Sequence, residues 1–420
     1  MEIDVVLGAN YGDEGKGVMV NALSMEEYWY QAKSAFGGRK ARILNILFNG
    51  GVQRGHTVKH AFQNHIFHCF GSGSYWGADT YYFKDFIVNP IGWVLEAANL
   101  AEGYMEPPML YIDEYCRVTT IYDEAINQML ETKRGNQRHG SCGLGILETR
   151  IRNESCPLYV HDLLDEHGLY QKLSFIRDVY FPYRCKELGL EVTDEIKDTI
   201  NDRFDYFMIA AHKMVTSNKV EIVHDDDFFK RICKGNWDRV IFEGGQGLLL
   251  SELNEKDFPH LTPSITGSEI IAPYIKKIYE NISGINLSTQ VFYMTRTYLT
   301  RHGAGPLPTE CKKEDINPDI KDETNMPNEW QGSLRFGYFD PEGFVERTEK
   351  DFSLYDDIAE VAKGTKHSPL MRFGITHCDY TPNGDFKIGK DEVLHWDKLP
   401  TKKKHPIFAF YGTEKYKIFN

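Results

Sequence analysis

The chain has 420 residues, of which 41% are hydrophobic and 26% charged, an ordinary composition for a globular protein with a sizeable core. Its formal net charge of −13 argues against a general surface for nucleic acid or an anionic membrane, because the long-range field repels phosphate. A small anionic ligand would need local cations and backbone N–H groups. The length allows one elaborated α/β domain or two domains.

The cysteine content and the N-terminus bear on cellular location. Eight cysteines without a C-x-x-C pair predict reduced thiols and a cytoplasmic protein. The acidic start leads straight into an apolar run, so no signal peptide is predicted. No apolar stretch approaches the roughly 20 residues that span a bilayer, so no membrane association is predicted.

Short apolar runs predict buried parallel strands at 3–9, 42–48, 239–242 and 290–294, and three of these runs end in glycine-rich loops. Amphipathic segments between them predict helices. The clearest helix begins at a Thr193 cap. Its apolar stripe is formed by Ile196, Ile200, Phe204, Phe207, Met208 and Ala211. This alternation predicts an α/β fold with a P-loop-like, largely parallel central sheet flanked by helices, and with smaller subdomains.

No boundary in the chain is clean enough to divide it, so a single domain over 1–420 with subdomain insertions is predicted. The region from about 100 to 235 is expected to be mostly helical. The polar, proline-containing segment 311–330 is expected to be a lid or surface loop. Ligands are expected at the carboxyl ends of the strands, where the glycine loops lie.

The first glycine loop, 8–17, connects a strand to a helix. Such a loop directs backbone N–H groups at an anion, and Lys16 would neutralise the terminal phosphates of a nucleotide. Gly17 stands where a P-loop carries its magnesium-binding hydroxyl, so Asp13 is the obvious carboxylate to hold Mg²⁺. A plain glycine turn with a surface carboxylate and lysine is the alternative.

Two loops carry a specific resemblance. The segment 12–17, Gly-Asp-Glu-Gly-Lys-Gly, resembles the G-D-E-G-K-G signature of adenylosuccinate synthetases, and 50–57 resembles their G-G-x-N-A-G-H-T loop, with Arg54 in place of alanine. The resemblance implies that Asp13 takes the proton from N1 of a 6-oxopurine and that His56 is the general acid at O6. It also implies phosphate contacts from Gly12, Gly15, Lys16, Gly17, Gly55 and Thr57, and a Mg²⁺ site at Asp13 and Gly55.

Three further segments, 139–145, 242–249 and 300–310, resemble substrate-binding loops of the family. The first implies a 5′-phosphate site at Ser141 and Cys142, where cysteine replaces threonine. Either Arg150 or Arg152 matches the arginine that the family inserts into its partner subunit's site, which implies a homodimer. Other implied substrate contacts are Gln246, which reads the 6-oxopurine and acts in catalysis, Thr262 and Arg301.

The last motifs concern aspartate and the triphosphate base. In a segment that resembles the family's aspartate-binding loop, Arg335 keeps a guanidinium suited to a carboxylate. Ser333 replaces an arginine that also touches the ribose 2′-hydroxyl. Asp379 lies in a segment like the guanine-reading T-K-x-D motif, but His377 replaces its lysine, so GTP and ATP both stay open. Gly412 matches a glycine of the last base-contacting loop.

The resemblance implies a ligase that joins L-aspartate to C6 of a purine nucleoside monophosphate, driven by GTP or ATP with Mg²⁺ through a 6-phosphoryl intermediate. The substrate is either IMP, or dGMP as in phage-type relatives, in which case the location is the host cytoplasm. Ser333 favours dGMP because a deoxy sugar lacks the 2′-hydroxyl, whereas Asp13 favours IMP because many phage relatives replace it. A plain P-loop phosphotransferase and a non-catalytic nucleotide-binding paralogue are the alternatives.

Overall fold

The computed structural model describes residues 1–33, 38–60, 63–103, 105–321, 333–362, 367–412 and 415–419. Its strands are β1 (Glu2–Gly8), β2 (Ile43–Leu47), β3 (His56–His60), β4 (Gln63–Phe67), β5 (Asp79–Tyr82), β6 (Leu110–Asp113), β7 (Val220–Val223), β8 (Arg239–Gly247), β9 (Ser288–Arg296), β10 (Leu299–Arg301), β11 (Glu310–Cys311), β12 (Arg335–Gly337), β13 (Leu370–Thr376), β14 (Phe386–Lys387), β15 (Val393–Leu394), β16 (Ile407–Tyr411) and β17 (Lys415–Phe419). Its α-helices are α1 (Lys16–Ala32), α2 (Pro90–Glu102), α3 (Ile121–Arg134), α4 (Ile146–Ser155), α5 (Glu166–Phe175), α6 (Phe181–Glu187), α7 (Asp194–Val215), α8 (Asp225–Cys233), α9 (Ile271–Asn281), α10 (Lys313–Ile316), α11 (Pro341–Phe352) and α12 (Asp356–Val361).

A ten-stranded sheet with the order β17-β16-β13-β9-β1-β8-β2-β5-β6-β7 forms the centre of the fold. All neighbours in it pair in parallel except the edge strand β17, which is antiparallel to β16. The predicted α/β fold with a largely parallel sheet is confirmed. Because β1 lies in the middle, the loop that follows it is surrounded by the loops of its neighbours.

The four predicted strands are β1, β2, β8 and β9, and they are adjacent in the sheet. The prediction ended the third strand at residue 242, but β8 continues to Gly247. The glycine-rich end of β8 pairs with β1 again after a register shift between Val6 and Gly8. This extension carries the Glu243–Gly247 segment directly to the P-loop.

Residues of β1 alternate between two cores. Ile3, Val5 and Leu7 belong to a cluster that also contains buried residues of α9. Val6 packs on the other face with Met19 and other residues of α1. Helices therefore cover the middle of the sheet on both sides, as a parallel sheet requires.

The long helix α7 begins as predicted, because the Thr193 side chain accepts a hydrogen bond from the Ile196 N–H at 3.3 Å. Of its predicted apolar stripe, Ile200, Phe204, Phe207 and Ala211 are buried, and Ile196 and Met208 are half-buried. The region predicted to be mostly helical contains α3 to α8, and it also supplies the strands β6 and β7 to the sheet edge.

The predicted lid or surface loop at 311–330 lies partly outside the described residues, since 322–330 are not described. Its first part includes the end of β11 and the short helix α10. All eight cysteines are free thiols. Among the helices that the structure describes, none is long and apolar enough to cross a membrane.

A buried ion pair joins two neighbouring strands. Arg239 at the start of β8 donates from Nε to Asp4 of β1 at 2.6 Å, and both side chains are buried. Arg239→Met would leave the Asp4 carboxyl group buried without its cation. We expect the free energy of unfolding, measured by urea denaturation, to fall by about 3 to 5 kcal/mol.

Arg39→Met is the matched control, because Arg39 is half exposed and its partner Asp238, the residue just before β8, keeps a second ion pair with Arg42. Exposed ion pairs contribute little, so this variant should lose less than about 1 kcal/mol. Equal losses in the two variants would show that the Asp4 pair does not stabilise the sheet.

Candidate active site

The carboxyl ends of the central parallel strands open into a cavity of about 1290 Å³. A cavity for a single drug-sized ligand measures roughly 300–1,000 Å³, so this one has room for more than one ligand. Its wall includes residues at or just beyond the carboxyl ends of β1, β2, β8, β9 and β13. The strand-end loops identified from the sequence therefore meet at one place.

The loop between β1 and α1 makes its turn with left-handed residues. Gly12, Asp13 and Gly15 have φ angles of 93°, 54° and 80°. Glycine adopts this region at little cost, and aspartate is one of the few other residues found there. Lys16 follows as the first residue of α1, and burial lowers the pKa of its amine. Gly15, Lys16 and Gly17 line the cavity, whereas Gly12 lies buried behind it.

Asp13 lines the cavity and is half-buried. Its Oδ2 lies 3.4 Å from Nε2 of His302, and its backbone carbonyl accepts a hydrogen bond from Nε of Arg296 at 2.5 Å. Both partners also line the cavity, and the sequence analysis did not single them out. The feature that could have identified Arg296 from the sequence was its position at the end of a predicted strand, which is β9.

Glu14 is a second carboxyl group of the same loop, which the sequence analysis left unassigned. It is buried, and one of its oxygens accepts the Asn10 N–H at 2.5 Å. Burial raises its pKa to about 7, against the opposing effect of Lys16. The loop therefore holds two carboxyl groups in different environments, of which Asp13 is the more exposed.

His56 packs against the first turn of α1. A Cβ added at Gly17 would lie 2.8 Å from Cβ of His56 and 3.1 Å from Oγ of Ser72. This close approach explains why glycine stands where a P-loop carries a hydroxyl. It also places His56 beside the glycine turn that precedes α1, and His56 and Asp13 line the same cavity.

His56 belongs to a buried polar cluster with Arg54, Ser72 and Glu243. Nδ1 of His56 lies 2.6 Å from Oε1 of Glu243 and 2.7 Å from Nη2 of Arg54. Burial and the Arg54 charge lower the pKa of His56 to about 3. Burial alone would raise the pKa of Glu243, but Arg54 and His56 outweigh it and bring this pKa to about 2. A carboxylate, a guanidinium and a neutral imidazole therefore coexist at neutral pH.

The residues predicted to contact the purine lie close to the P-loop. Gln246 and Thr262 line the cavity, and a Cβ at Gly12 would lie 3.3 Å from Oε1 of Gln246. Arg301 also lines it but is nearly fully buried. Its guanidinium donates to the carbonyls of Pro306 and His260, both at 2.7 Å. Arg301 therefore fixes two loops as well as lining the cavity.

The predicted 5′-phosphate loop also reaches the cavity, through Ser141 and Cys142. Oγ of Ser141 accepts a hydrogen bond from the Asn127 amide at 2.8 Å. Burial raises the pKa of the Cys142 thiol to about 11, so it stays protonated at neutral pH. Gly55 and Thr57 line the cavity as well.

The structure distinguishes the two arginines between which the sequence spacing could not choose. Arg152 is completely buried, and its guanidinium bonds to Asp123 and to backbone carbonyls within the helical region. It is a structural residue, contrary to its inclusion among the substrate contacts. Arg150 is about one-third exposed, and it donates to Glu252 at 2.6 Å. Of the two, only Arg150 has exposed surface, and its contact with a partner subunit stays a prediction.

Neither Ser333 nor Arg335 lines the cavity. Ser333 is exposed. Arg335 donates to Oε1 of Glu310 at 2.8 Å and to the carbonyls of Gly303 and Gly305 at 2.9 and 2.6 Å. A substrate carboxylate would have to displace Glu310 from this guanidinium. The aspartate contact of Arg335 stays a prediction.

The end of β13 touches the P-loop, since a Cβ at Gly15 would lie 2.5 Å from Cγ2 of Thr376. Next to it, His377, Asp379 and Gly412 line the cavity as a group. His377 has a φ angle of 61°, and its ring stacks on Tyr380 at 5.9 Å between centroids. A base bound here would meet two aromatic rings and a carboxylate.

Oxygen donors of the loops that follow β1 and β2 suit Mg²⁺. Asp13 and Gly55 both line the cavity, and burial depresses the pKa of the neighbouring Lys16 amine. The described residues contain no group of three or more histidine, cysteine, aspartate or glutamate side chains that could hold a metal. Mg²⁺ is commonly held by one or two carboxylates together with phosphates and water. These residues therefore fit an ion shared with a triphosphate.

Comparison with known proteins gives a consistent result. A family model described as adenylosuccinate synthetase matches residues 5–341. The adenylosuccinate synthetase of Synechococcus sp. (strain RCC307) is 30% identical over 318 residues, which are 73% of this chain and 64% of that protein. That of Microcystis aeruginosa is 29% identical over 314 residues, 74% of this chain and 63% of that protein. The chain thus spans less than two thirds of the length of these curated relatives.

Two solved structures share the fold. The fully ligated adenylosuccinate synthetase of Plasmodium falciparum has a TM-score of 0.64 and 17% identity, over 99% of this chain and 86% of that one. The succinoaminodeoxyadenylate synthetase of cyanophage S-2L, bound to dGMP and to dATP as an energy donor, has a TM-score of 0.56 and 14% identity, over 95% and 96% of the two chains. The family-model match covers most of the sequence, and the chain therefore belongs to the adenylosuccinate synthetase family.

Proposed function

We propose that this protein is a ligase that joins L-aspartate to C6 of a 6-oxopurine nucleoside monophosphate at the expense of a nucleoside triphosphate. One observation carries the proposal: Asp13, Lys16, His56 and Gln246 line a single cavity that is large enough for more than one ligand. Family membership supports the same chemistry.

The first step activates the purine. Asp13 takes the proton from N1, and O6 attacks the γ-phosphorus, so that the P–O6 bond forms as the bond to the leaving diphosphate oxygen breaks. His56 donates a hydrogen bond to O6, where charge changes during the transfer. Gln246, packed against the P-loop at Gly12, holds the base edge.

The second step forms the new C–N bond. The amine of aspartate attacks C6, the C6–O6 bond breaks, and inorganic phosphate leaves with the former O6 and takes up the proton that the amine loses. Lys16 offsets the charge of the phosphates throughout, and its buried position makes that interaction strong. Asp13 and Gly55 would hold Mg²⁺, which would supply positive charge to stabilise the phosphoryl group during its transfer.

The identity of the monophosphate and of the triphosphate is the more specific part of the proposal. IMP and dGMP are both retained as candidates, since the retained Asp13 favours IMP and the missing arginine at Ser333 favours dGMP. The phage relative that binds dGMP with dATP supports the second pair. A homodimer with Arg150 at the partner's site and a cytoplasmic location, that of the host if a phage encodes the chain, complete the proposal.

The test is a turnover assay with Mg²⁺, L-aspartate, IMP or dGMP, and GTP or ATP in all four combinations. We expect phosphate release that requires both aspartate and one of the monophosphates, with the condensed product identified by mass spectrometry. Triphosphate turnover that ignores aspartate would instead indicate a phosphotransferase. Nucleotide binding with no phosphate release in any combination would indicate a non-catalytic paralogue.

A further inference from the structure

Two neighbouring side chains of α3 hold the loop 139–145 in place. The Asn127 amide donates a hydrogen bond to Oγ of Ser141 at 2.8 Å. The Gln128 amide donates to the backbone carbonyl of Gly143 at 3.1 Å. Asn127 and Ser141 both line the cavity, and Gln128 is not part of its wall. The two amides therefore fix the same loop, but only Asn127 acts on a side chain that can meet a ligand.

The orientation of the Asn127 amide follows from its second contact. Its Oδ1 accepts a hydrogen bond from the Gly145 N–H at 3.1 Å. A backbone N–H group can only donate, so the amide oxygen must face Gly145 and the amide nitrogen must face Ser141. The Asn127 nitrogen donates hydrogen bonds and has no lone pair to accept one. The direction of the hydrogen bond between the two side chains is therefore fixed.

The Ser141 hydroxyl group is left with a hydrogen to donate. A hydroxyl has one O–H donor and two lone pairs. Its oxygen accepts from Asn127 and, at the longer distance of 3.4 Å, from the Gly143 N–H. Both partners are donors, so both lone pairs are used and neither partner can take the hydroxyl hydrogen. Because Ser141 lines the cavity, this hydrogen is available to an acceptor that binds there.

Phosphate is the ligand group that suits this arrangement. Its terminal oxygens accept hydrogen bonds and carry negative charge, which strengthens a hydrogen bond from a hydroxyl. The loop leads through Gly145 into α4, and Ile146 and Leu147 of the first turn of α4 also line the cavity. The N-terminal end of a helix attracts an anion. The hydroxyl hydrogen and the helix end therefore favour the same kind of ligand.

We propose that Asn127 is a positioning residue that, by donating to Oγ of Ser141, turns the hydroxyl hydrogen toward the 5′-phosphate of the bound monophosphate. This inference rests on the proposed function, which supplies the monophosphate. In Asn127→Leu the hydroxyl is retained, but it is no longer held in one orientation. In Ser141→Ala the donor itself is lost. Asn127 acts only through Ser141, so the two side chains are coupled.

Calorimetric titration of the full chain provides the test, with IMP and dGMP as monophosphates and with inosine and deoxyguanosine as the matching nucleosides. Ser141→Ala should weaken binding of the monophosphate by roughly ten- to a hundredfold, the usual effect of a hydrogen bond to a charged group. Asn127→Leu should weaken it by roughly three- to tenfold, the usual cost of ordering one side chain. The double variant should bind as Ser141→Ala does. Nucleoside affinity should be unchanged in all three variants, because the nucleosides lack the phosphate.

Gln128→Leu is the matched control, because it removes an amide contact to the same loop without touching Ser141. It should keep the wild-type affinity for the monophosphate. In steady-state assays Asn127→Leu should raise KM for the monophosphate and retain kcat, since the lost contact is remote from C6 and O6.

Four results would overturn the proposal. They are wild-type monophosphate affinity in either single variant, a further loss when Asn127→Leu is added to Ser141→Ala, an equal loss of nucleoside affinity, and an equal loss in Gln128→Leu. Ser141→Ala keeps the test decisive if Asn127→Leu does not fold. The expected binding pattern without ligation in any nucleotide combination would refute the proposed function alone.

Discussion

Replacing Asp13 by asparagine is expected to abolish ligation, with kcat lower by roughly 10³-fold or more, because an amide cannot accept the N1 proton. Asparagine is the most informative substitution at position 13. Asp13 has a φ angle of 54°, and asparagine adopts this left-handed region readily, whereas alanine does not. The loss can therefore be attributed to the carboxylate. The measurement is the rate of condensed product under saturating substrates.

Asp194→Asn is the matched control, since it makes the same chemical change at an exposed residue of α7. It should retain wild-type kcat. Asp13→Asn should also keep the wild-type melting temperature and should still bind the monophosphate in the absence of Mg²⁺. If Asp13→Asn retains kcat within about tenfold of the wild type, which is less than the loss of a general base causes, Asp13 is not the base.

His56→Gln is expected to lower kcat by roughly 10²- to 10⁴-fold, the usual range for a lost general acid. The step that the substitution slows should be phosphoryl transfer to O6. Oxygen-isotope positional exchange in the triphosphate isolates this step, because it occurs when the γ-phosphoryl group moves reversibly to the purine without aspartate. We expect monophosphate-dependent exchange in the wild-type protein and none in the variant.

His167→Gln is the corresponding control, because His167 is exposed on α5 and contacts Gln171, one turn further along the same helix. The Arg54–Glu243 ion pair is still present in His56→Gln, so the variant should not leave a buried charge without a partner. Positional exchange at the wild-type rate in His56→Gln would remove the histidine from the phosphoryl-transfer step.

The contiguous motifs were readable from the sequence because their chemistry is local. A glycine loop between a strand and a helix is well known as a binding site for phosphate groups. Asp13, Lys16 and Gly17 lie within such a loop. The four apolar runs identified the four central strands, and parallel strands bring their carboxyl ends to one edge. The convergence of Asp13, His56 and Gln246 on one cavity follows from that rule.

The roles of the arginines were not readable, because burial depends on what packs around a side chain. Arg150 and Arg152 are two positions apart on α4, and residues at that spacing do not face the same way. One became a core residue bonded to Asp123, and the other stayed partly exposed. Arg335 kept the predicted residue type, but its guanidinium is engaged by Glu310.

The sequence by itself determined the family, the parallel α/β architecture and the position of the glycine loop between β1 and α1, since each depends on residues that are neighbours in the chain. Only the tertiary structure decided the surroundings of His56, the proposed catalytic histidine. Arg54, Ser72 and Glu243 come from separate segments and meet His56 after the strands have paired. Hydrogen-bond partners and charge compensation in a buried cluster depend on distances of a few ångströms between distant residues, and no spacing along the chain encodes them.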